Sequence, residues 1–152
     1  MADTHGLKTR VEPFVRKWLE GKYGQHFHKE DLPLAGTEGC HEFDAVSDDG
    51  TIVAAITSAS GKTSGGKNPS GKVDSVYREL YFLSNVKAGT KLLVLTDRGF
   101  FDLICKKTEG KLAGGNALLH CPLSAELEGF VRRIRADASD EIDRGKPGRA
   151  RT

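Results

Sequence analysis

The stretch KLLVLTD, residues 91–97, constrains the fold of this chain more than any other segment. Its consecutive apolar residues are followed directly by turn-forming ones, which is typical of a strand buried in the centre of a sheet. Amphipathic helical patterns precede and follow this strand along the chain. The segment therefore predicts a buried central strand in a domain that also contains packed helices.

Helical and strand patterns alternate along the rest of the chain. Apolar residues at three- and four-residue spacing predict the helices, and apolar or alternating runs between turn signals predict the strands. The predicted helices are 10–20, 73–85, 99–107 and 124–142, and the predicted strands are 22–28, 40–47, 51–59, 91–97 and 116–123. Thr9 with Glu12 fits a capping box at the first helix, and Gly21 is expected to end it. This order predicts an α/β (or α+β) fold of three layers, with a mixed central sheet flanked by helices.

The chain of 152 residues is long enough for one domain with an apolar core, which we place at 1–143. Residues 144–152, RGKPGRART, carry four basic residues and no acid, and they are predicted to form a flexible basic tail. Positions 1–143 then hold 19 basic and 21 acidic residues. Any affinity for nucleic acid is therefore expected from local patches or from the tail.

The cysteine content and the hydropathy pattern predict a cytoplasmic protein. Three cysteines at scattered spacing favour free thiols in a reducing compartment over a disulfide framework. No apolar run approaches the length of a membrane span, and the N-terminal segment lacks the apolar core of a signal peptide. We therefore expect no membrane partner.

The segment HEFDAVSDDGTIVAAITSAS, residues 41–60, predicts a β-hairpin whose turn is DDG. Strand alternation assigns three residues of each strand to one face. These residues are Glu42, Asp44 and Val46 in the first strand and Val53, Ala55 and Thr57 in the second. Asp44 is either a metal ligand on this face or a strand-end residue that caps the turn.

This arrangement resembles the core of the PD-(D/E)XK nucleases, the restriction-endonuclease-like superfamily. The superfamily core has a helix, a three-stranded meander with an acid in its second strand, a helix and a buried strand. The hairpin at 41–60 looks like the signature hairpin, VDSVYRELYFLSN at 73–85 resembles the next helix, and KLLVLTD resembles the next strand. The resemblance covers roughly residues 10–122 and implies Mg²⁺-dependent hydrolysis of nucleic-acid phosphodiesters.

The match to the superfamily's catalytic residues is incomplete. Asp44 matches the superfamily's aspartate, but its second acid falls at Ala55 and its lysine at Thr57. Two carboxylates suit Mg²⁺, a hard cation that takes oxygen ligands, and the lysine positions the attacking water and offsets negative charge. The resemblance therefore implies a degenerate active site without the usual metal site.

An active enzyme with relocated ligands is the first alternative. Its candidates are Asp44 and Glu79 as catalytic residues and Mg²⁺ ligands, Glu42 as a further acid, and Lys62 or Lys72 as the amine. A glutamate of the first helix assists in some superfamily members, and Glu12 and Glu20 both lie in that segment. The competing interpretation of Glu79 is an ordinary exposed charge on its helix.

The loop SGKTSGGKNPSGK, residues 60–72, contains three lysines and no acid. Lys62, Lys67 and Lys72 are predicted either to contact nucleic-acid phosphates or to belong to an ordinary connector. Two GxxxxGK spacings in this loop end in Asn68 and Val73 instead of Ser or Thr, so nucleotide hydrolysis is not expected.

Histidine and cysteine pairs offer ligands for zinc. The pairs are His26 with His28, Cys40 with His41, and His120 with Cys121. We expect each pair to supply at most one ligand, because neighbouring strand residues point to opposite faces, and no CxxC or HxxxH spacing is present. Packing is therefore the expected role of these side chains.

The sequence as a whole predicts a nuclease-superfamily protein that has lost the usual metal site. Such a protein would bind nucleic acid, DNA in preference to RNA, or would regulate an active nuclease as a partner protein. The alternatives are the active endonuclease described above and a protein-interaction domain without a nucleic-acid role. Mg²⁺ is expected only in the active case, and a homodimer is an option because superfamily members that cut duplex DNA often work as dimers.

Overall fold

The computed structural model describes residues 4–60, 70–112 and 114–144. In chain order, its elements are α1 (Thr4–Tyr23), β1 (Phe27–Pro33), β2 (Cys40–Ser47), β3 (Ile52–Thr57), α2 (Ser70–Ser84), β4 (Thr90–Leu95), α3 (Arg98–Thr108), β5 (Asn116–His120) and α4 (Ala125–Arg144). The predicted order of helices and strands is confirmed. Most of the basic tail lies outside the described residues, since α4 includes Arg144 and the description ends there.

The strands form one open mixed sheet in the order β1-β2-β3-β4-β5. The pairs β1–β2 and β2–β3 are antiparallel, whereas β3–β4 and β4–β5 are parallel. Parallel neighbours require a crossover connection, and α2 and α3 provide the two crossovers. The predicted α/β class with a mixed central sheet is confirmed.

Helices cover both faces of this sheet. The α2/α3 core, on one face, includes Phe43, Val53, Leu80, Leu83, Leu93, Leu95 and Phe100. The α1/α4 core, on the other, includes Val11, Val15, Leu19, Ala54, Leu92, Val94 and Val131. Successive residues of β4 thus enter opposite cores, which is why the run 91–97 is apolar at consecutive positions.

The first helix is longer than predicted at both ends. It begins at Thr4, so Thr9 lies inside it and the predicted capping box is wrong. It also continues past Gly21, because Tyr23 still packs beside the α1/α4 core. Gly24, with φ of 70°, then ends the helix, since glycine adopts this left-handed conformation without steric cost.

The first strand begins five residues later than predicted, at Phe27 instead of residue 22. The predicted segment overlaps the end of α1, and β1 extends to Pro33. Because β1 is an edge strand, most of its residues are exposed and it has no alternating apolar face that the sequence would reveal.

A β-bulge interrupts the pairing of β1 with β2. Between the pairs His28–Val46 and Glu30–Phe43, β1 has one residue and β2 has two, Asp44 and Ala45. Phe43 and Val46 consequently both enter the α2/α3 core although they are three residues apart, whereas Ala45 enters the α1/α4 core. The predicted common face of Glu42, Asp44 and Val46 is therefore wrong, because strict alternation does not continue through a bulge.

Candidate functional site

Asp44 lies in the bulge, where the regular pairing of β2 with β3 ends. The paired residues of these strands are Ala45–Ala54 and Val46–Val53. Beyond them, Oδ2 of Asp44 accepts a hydrogen bond of 2.8 Å from the backbone N–H of Ile56. The carboxylate thus bridges the two strands at the point where their backbones separate.

Asp49, rather than Asp44, caps the DDG turn. Oδ1 of Asp49 accepts hydrogen bonds from the N–H and the hydroxyl of Thr51, at 3.0 and 2.7 Å, and from the hydroxyl of Ser47 at 2.9 Å. Gly50 completes the turn at φ of 74°. The interpretation of Asp44 as a turn cap is therefore wrong.

Three charged side chains lie around Asp44, namely Glu12 and Arg16 of α1 and Lys29 of β1. We call these four residues the acid–base cluster. Nη1 of Arg16 donates a 2.9 Å hydrogen bond to the backbone oxygen of Asp44 and lies 3.8 Å from Oε1 of Glu12. Nζ of Lys29 lies 3.5 Å from the same Glu12 oxygen. Lys29 is also the residue opposite the bulge, so the bulge places an amine beside the two acids.

The two carboxyl groups of the acid–base cluster are both perturbed. Burial raises the pKa of Glu12, and the negative charge of Asp44 raises it further, while Lys29 and Arg16 oppose the shift. Burial also raises the pKa of Asp44; the Ile56 N–H opposes this shift, and the charge of Glu79 adds to it. Among the described residues, Asp44 forms no salt bridge, so its charge is only partly compensated.

Glu79 lies near enough to act on Asp44 electrostatically, but its own contacts are with His41. Both of its carboxylate oxygens contact Nε2 of His41, at 3.2 and 3.0 Å. The His41 ring in turn stacks on Phe82 with 4.0 Å between centroids. Glu79 is half-buried, so its interpretation as an ordinary exposed charge is wrong.

Glu42, predicted as a further acid, reaches the acid–base cluster only through Lys29, whose Nζ lies 3.9 Å from its Oε1. The positions of the expected second acid and lysine lie elsewhere. Ala55 is 1% exposed and lies in the α2/α3 core, and Oγ1 of Thr57 accepts a hydrogen bond from Ala59 N. Lys62 and Lys67 lie outside the described residues, and Lys72 is half-buried in the first turn of α2. Sequence patterns did not indicate Lys29 or Arg16, because the position of Lys29 depends on the extent of an edge strand.

We expect Asp44→Asn to be more stable than the parent at pH 7 in the presence of EDTA. In the folded protein the pKa of Asp44 is raised above its ordinary value of 3.8. The contribution of this carboxyl group to stability is therefore complete below pH 3.8 and is lost as the pH rises through the folded pKa. The neutral amide of the variant avoids that loss and still offers an oxygen to Ile56 N. Urea unfolding at pH 7 and near pH 4 measures the difference in unfolding free energy between Asp44→Asn and the parent. This difference should become smaller as the pH falls.

The exposed Asp102 provides the control for this comparison. It pairs with Arg98 at 3.2 Å on the surface of α3, and such pairs contribute about 0–1 kcal/mol. Asp102→Asn should therefore leave stability nearly unchanged at neutral pH. A loss of stability in Asp44→Asn at pH 7 would show that the ionised carboxylate is well compensated and would contradict the prediction.

A second polar cluster, His26, His28 and Asp48, lies at the start of β1 and in the turn after β2. The expectation that His26 and His28 supply at most one ligand together is wrong, because residues two apart in an extended segment point to the same side. Their rings stack with 6.3 Å between centroids. We call these three residues the His–Asp cluster.

No protein-family model, curated protein or solved structure matches this chain. The fold and the site therefore define the class of protein by themselves. It is an α/β protein with a mixed five-stranded sheet, in which Asp44 at the bulge of β2 and Glu12 of α1 both have raised pKa values. None of the helices in the described ranges combines the length and apolar character that crossing a membrane requires.

Proposed function

We propose that the protein is a Mg²⁺-dependent nuclease of the restriction-endonuclease-like type, with Glu12, Asp44 and Lys29 as its two acids and its amine. The observation that carries this proposal is the partly buried Asp44 carboxylate, which forms no salt bridge among the described residues and lies beside the buried Glu12. Carboxyl groups whose pKa values are raised by burial and by a nearby charge are typical of functional sites. The order of elements around Asp44 further supports the proposal, through its resemblance to the superfamily.

The chemistry of Glu12 and Asp44 fits a hard divalent cation. Mg²⁺ is commonly held by one or two carboxylates together with water and substrate phosphates. Burial penalises both ionised carboxylates, so a bound cation would lower the free-energy cost of keeping them charged. When bound, Mg²⁺ polarises the phosphodiester and acidifies a water molecule.

The protein's own residues would orient the ligands and compensate charge. Arg16 holds the Asp44 backbone and the Ile56 N–H holds its carboxylate, so this acid is fixed at both ends. The ammonium of Lys29 would offset the charge that grows on the phosphate oxygens as water attacks. Attack forms one P–O bond and breaks the ester P–O bond, and a proton passes from the water to the leaving oxygen.

Binding of nucleic acid without cleavage is the second candidate function. Tyr77 and Tyr81 are 44% and 59% exposed and lie one turn apart on α2, where their rings could stack on bases. The absence of acid and amine at Ala55 and Thr57 also favours this alternative. In both cases we place the protein in the cytoplasm, which the three free thiols support.

Cleavage of supercoiled plasmid and of single-stranded DNA, in Mg²⁺ and in EDTA, tests the proposal. We expect cleavage only with metal, and a loss of about a hundredfold or more in Asp44→Asn, Glu12→Gln and Lys29→Met. Asp31→Asn is the matched control, since Asp31 is an exposed acid on β1 and should cut like the parent.

Three other outcomes would contradict the proposal. Cutting that persists in Asp44→Asn would indicate a contaminating nuclease. A parent that does not cut but retards DNA, less strongly as salt increases, would be a binding protein. A parent that neither cuts nor retards DNA would point to a partner protein.

A further inference from the structure

We propose that His26, His28 and Asp48 form a binding site for Zn²⁺, separate from the acid–base cluster. Asp48 and Asp44 are four residues apart along β2 and the following turn, or about 13 Å in extended chain. Imidazole nitrogen suits zinc, whereas Mg²⁺ prefers oxygen ligands. The two sites therefore differ in position and in the metal that they would select.

The geometry of the His–Asp cluster fits zinc coordination. Nδ1 of His26 and Nδ1 of His28 lie 3.3 and 3.2 Å from the same oxygen, Oδ1 of Asp48. One ligand atom from each residue lies within 4.8 Å of the others. Zinc bonds of about 2.0–2.1 Å in a tetrahedron separate neighbouring ligand atoms by about 3.3 Å. The two nitrogen–oxygen separations thus match a tetrahedral edge, and they lie at the long end of the range for N–H···O hydrogen bonds.

Carboxylates also lie at the outer nitrogens of both rings. Nε2 of His28 contacts Oε1 of Glu30, and Nε2 of His26 lies 3.7 Å from Oε2 of Glu20. A neutral imidazole has a single N–H, so His28 donates to a carboxylate on each side only as the imidazolium, which Glu30 and Asp48 favour by raising its pKa. Zinc would take the place of the Nδ1 proton. With a metal at Nδ1, the proton stays on Nε2 and points to the outer carboxylate, as is usual for histidine ligands of zinc.

The backbone fixes the three ligands relative to one another. The N–H of Asp48 donates a 3.0 Å hydrogen bond to the backbone oxygen of His26, which joins the start of β1 to the turn. Asp49 makes the capping contacts of that turn, so the carboxylate of Asp48 is directed to the histidines. His26 and Asp48 are 63% and 62% exposed in their side chains, so a fourth coordination position would be open to water.

Titration of the metal-free full chain with Zn²⁺ against a chromophoric chelator tests the site, with the absorption spectrum of Co²⁺ as a second readout. We expect one equivalent to bind and to give a tetrahedral Co²⁺ spectrum. His26→Ala, His28→Ala and Asp48→Asn should each weaken binding at least about tenfold. Glu30→Gln should weaken it by about 10–100-fold through the orientation of His28.

Two control variants distinguish this site from other zinc ligands. His120→Gln removes a histidine on β5, and Cys40→Ser removes the exposed thiol; both should bind zinc like the parent. Affinity lost in Cys40→Ser but kept in His28→Ala would assign zinc to a thiol and overturn the proposal. Absence of one-equivalent binding by the parent would overturn it too. DNA cleavage in Mg²⁺ is measured separately from zinc binding. The proposed zinc site can therefore be wrong while the proposed nuclease site is right, and the reverse also holds.

Discussion

Replacement of Phe100 by alanine is expected to lower the free energy of unfolding by about 3–5 kcal/mol. Phe100 is 0% exposed and lies in the first turn of α3, within the α2/α3 core. Truncation removes apolar contacts with that core and leaves a cavity that a close-packed interior fills only in part. A typical domain has only about 5–15 kcal/mol of stability, so the loss should be evident in urea unfolding at pH 7.

The neighbouring Phe101 is the matched control for this prediction. It has the same side chain on the same helix, but it is only partly buried and lies beside His120, with 5.6 Å between ring centroids. Phe101→Ala should therefore cost roughly half as much as Phe100→Ala or less. Equal losses in the two variants would mean that α3 is not packed through Phe100 as the structure describes.

The packed interior was predictable from the sequence because burial leaves a local signature. The run 91–97 is apolar at consecutive positions since β4 contributes to both cores. Of the apolar positions that predict the helix at 73–85, Val73, Val76 and Leu80 are buried in α2, whereas Tyr77 and Tyr81 are exposed. The sequence did not reveal the extent of β1, because an exposed edge strand requires no apolar alternation. Helix α1 extended beyond Gly21 for a tertiary reason, the packing of Tyr23.

The candidate site was only partly predictable, because the bulge that builds it depends on the pairing of two strands. Asp44 was expected from the motif, and Glu12 was one of two glutamates in the predicted first helix. The structure separates that pair: Glu12 lies beside Asp44, whereas Oε2 of Glu20 accepts a hydrogen bond from Phe27 N. Lys29 has no local signature, since it becomes a neighbour of Glu12 only through its position opposite the bulge.

An acid restored at position 55, where the superfamily motif would place one, is expected to destabilise the protein strongly. Ala55→Glu should cost about 3–5 kcal/mol in EDTA, because Ala55 is 1% exposed in the α2/α3 core and offers a buried charge no partner there. Mg²⁺ should not recover this loss, since Glu12, Arg16 and Lys29 of the acid–base cluster come from α1 and β1, whereas position 55 lies in the α2/α3 core. Urea midpoints with and without Mg²⁺ measure both effects.

Ala55→Gln separates the charge of the new side chain from its size. Both variants overpack the same position, which alone costs about 1–3 kcal/mol, so the larger loss in Ala55→Glu would report the buried charge. If Mg²⁺ stabilised Ala55→Glu but not Ala55→Gln, a carboxylate at position 55 would reach the ion held at Asp44. A single substitution would then restore the superfamily's usual pair of acids, and the assignment of Glu12 as the second acid would be wrong. If Mg²⁺ leaves the urea midpoints of both variants unchanged while the parent still cuts DNA, the second acid does not lie on β3. The bulge in β2, which places Asp44 beside Glu12, then explains why the second acid comes from α1.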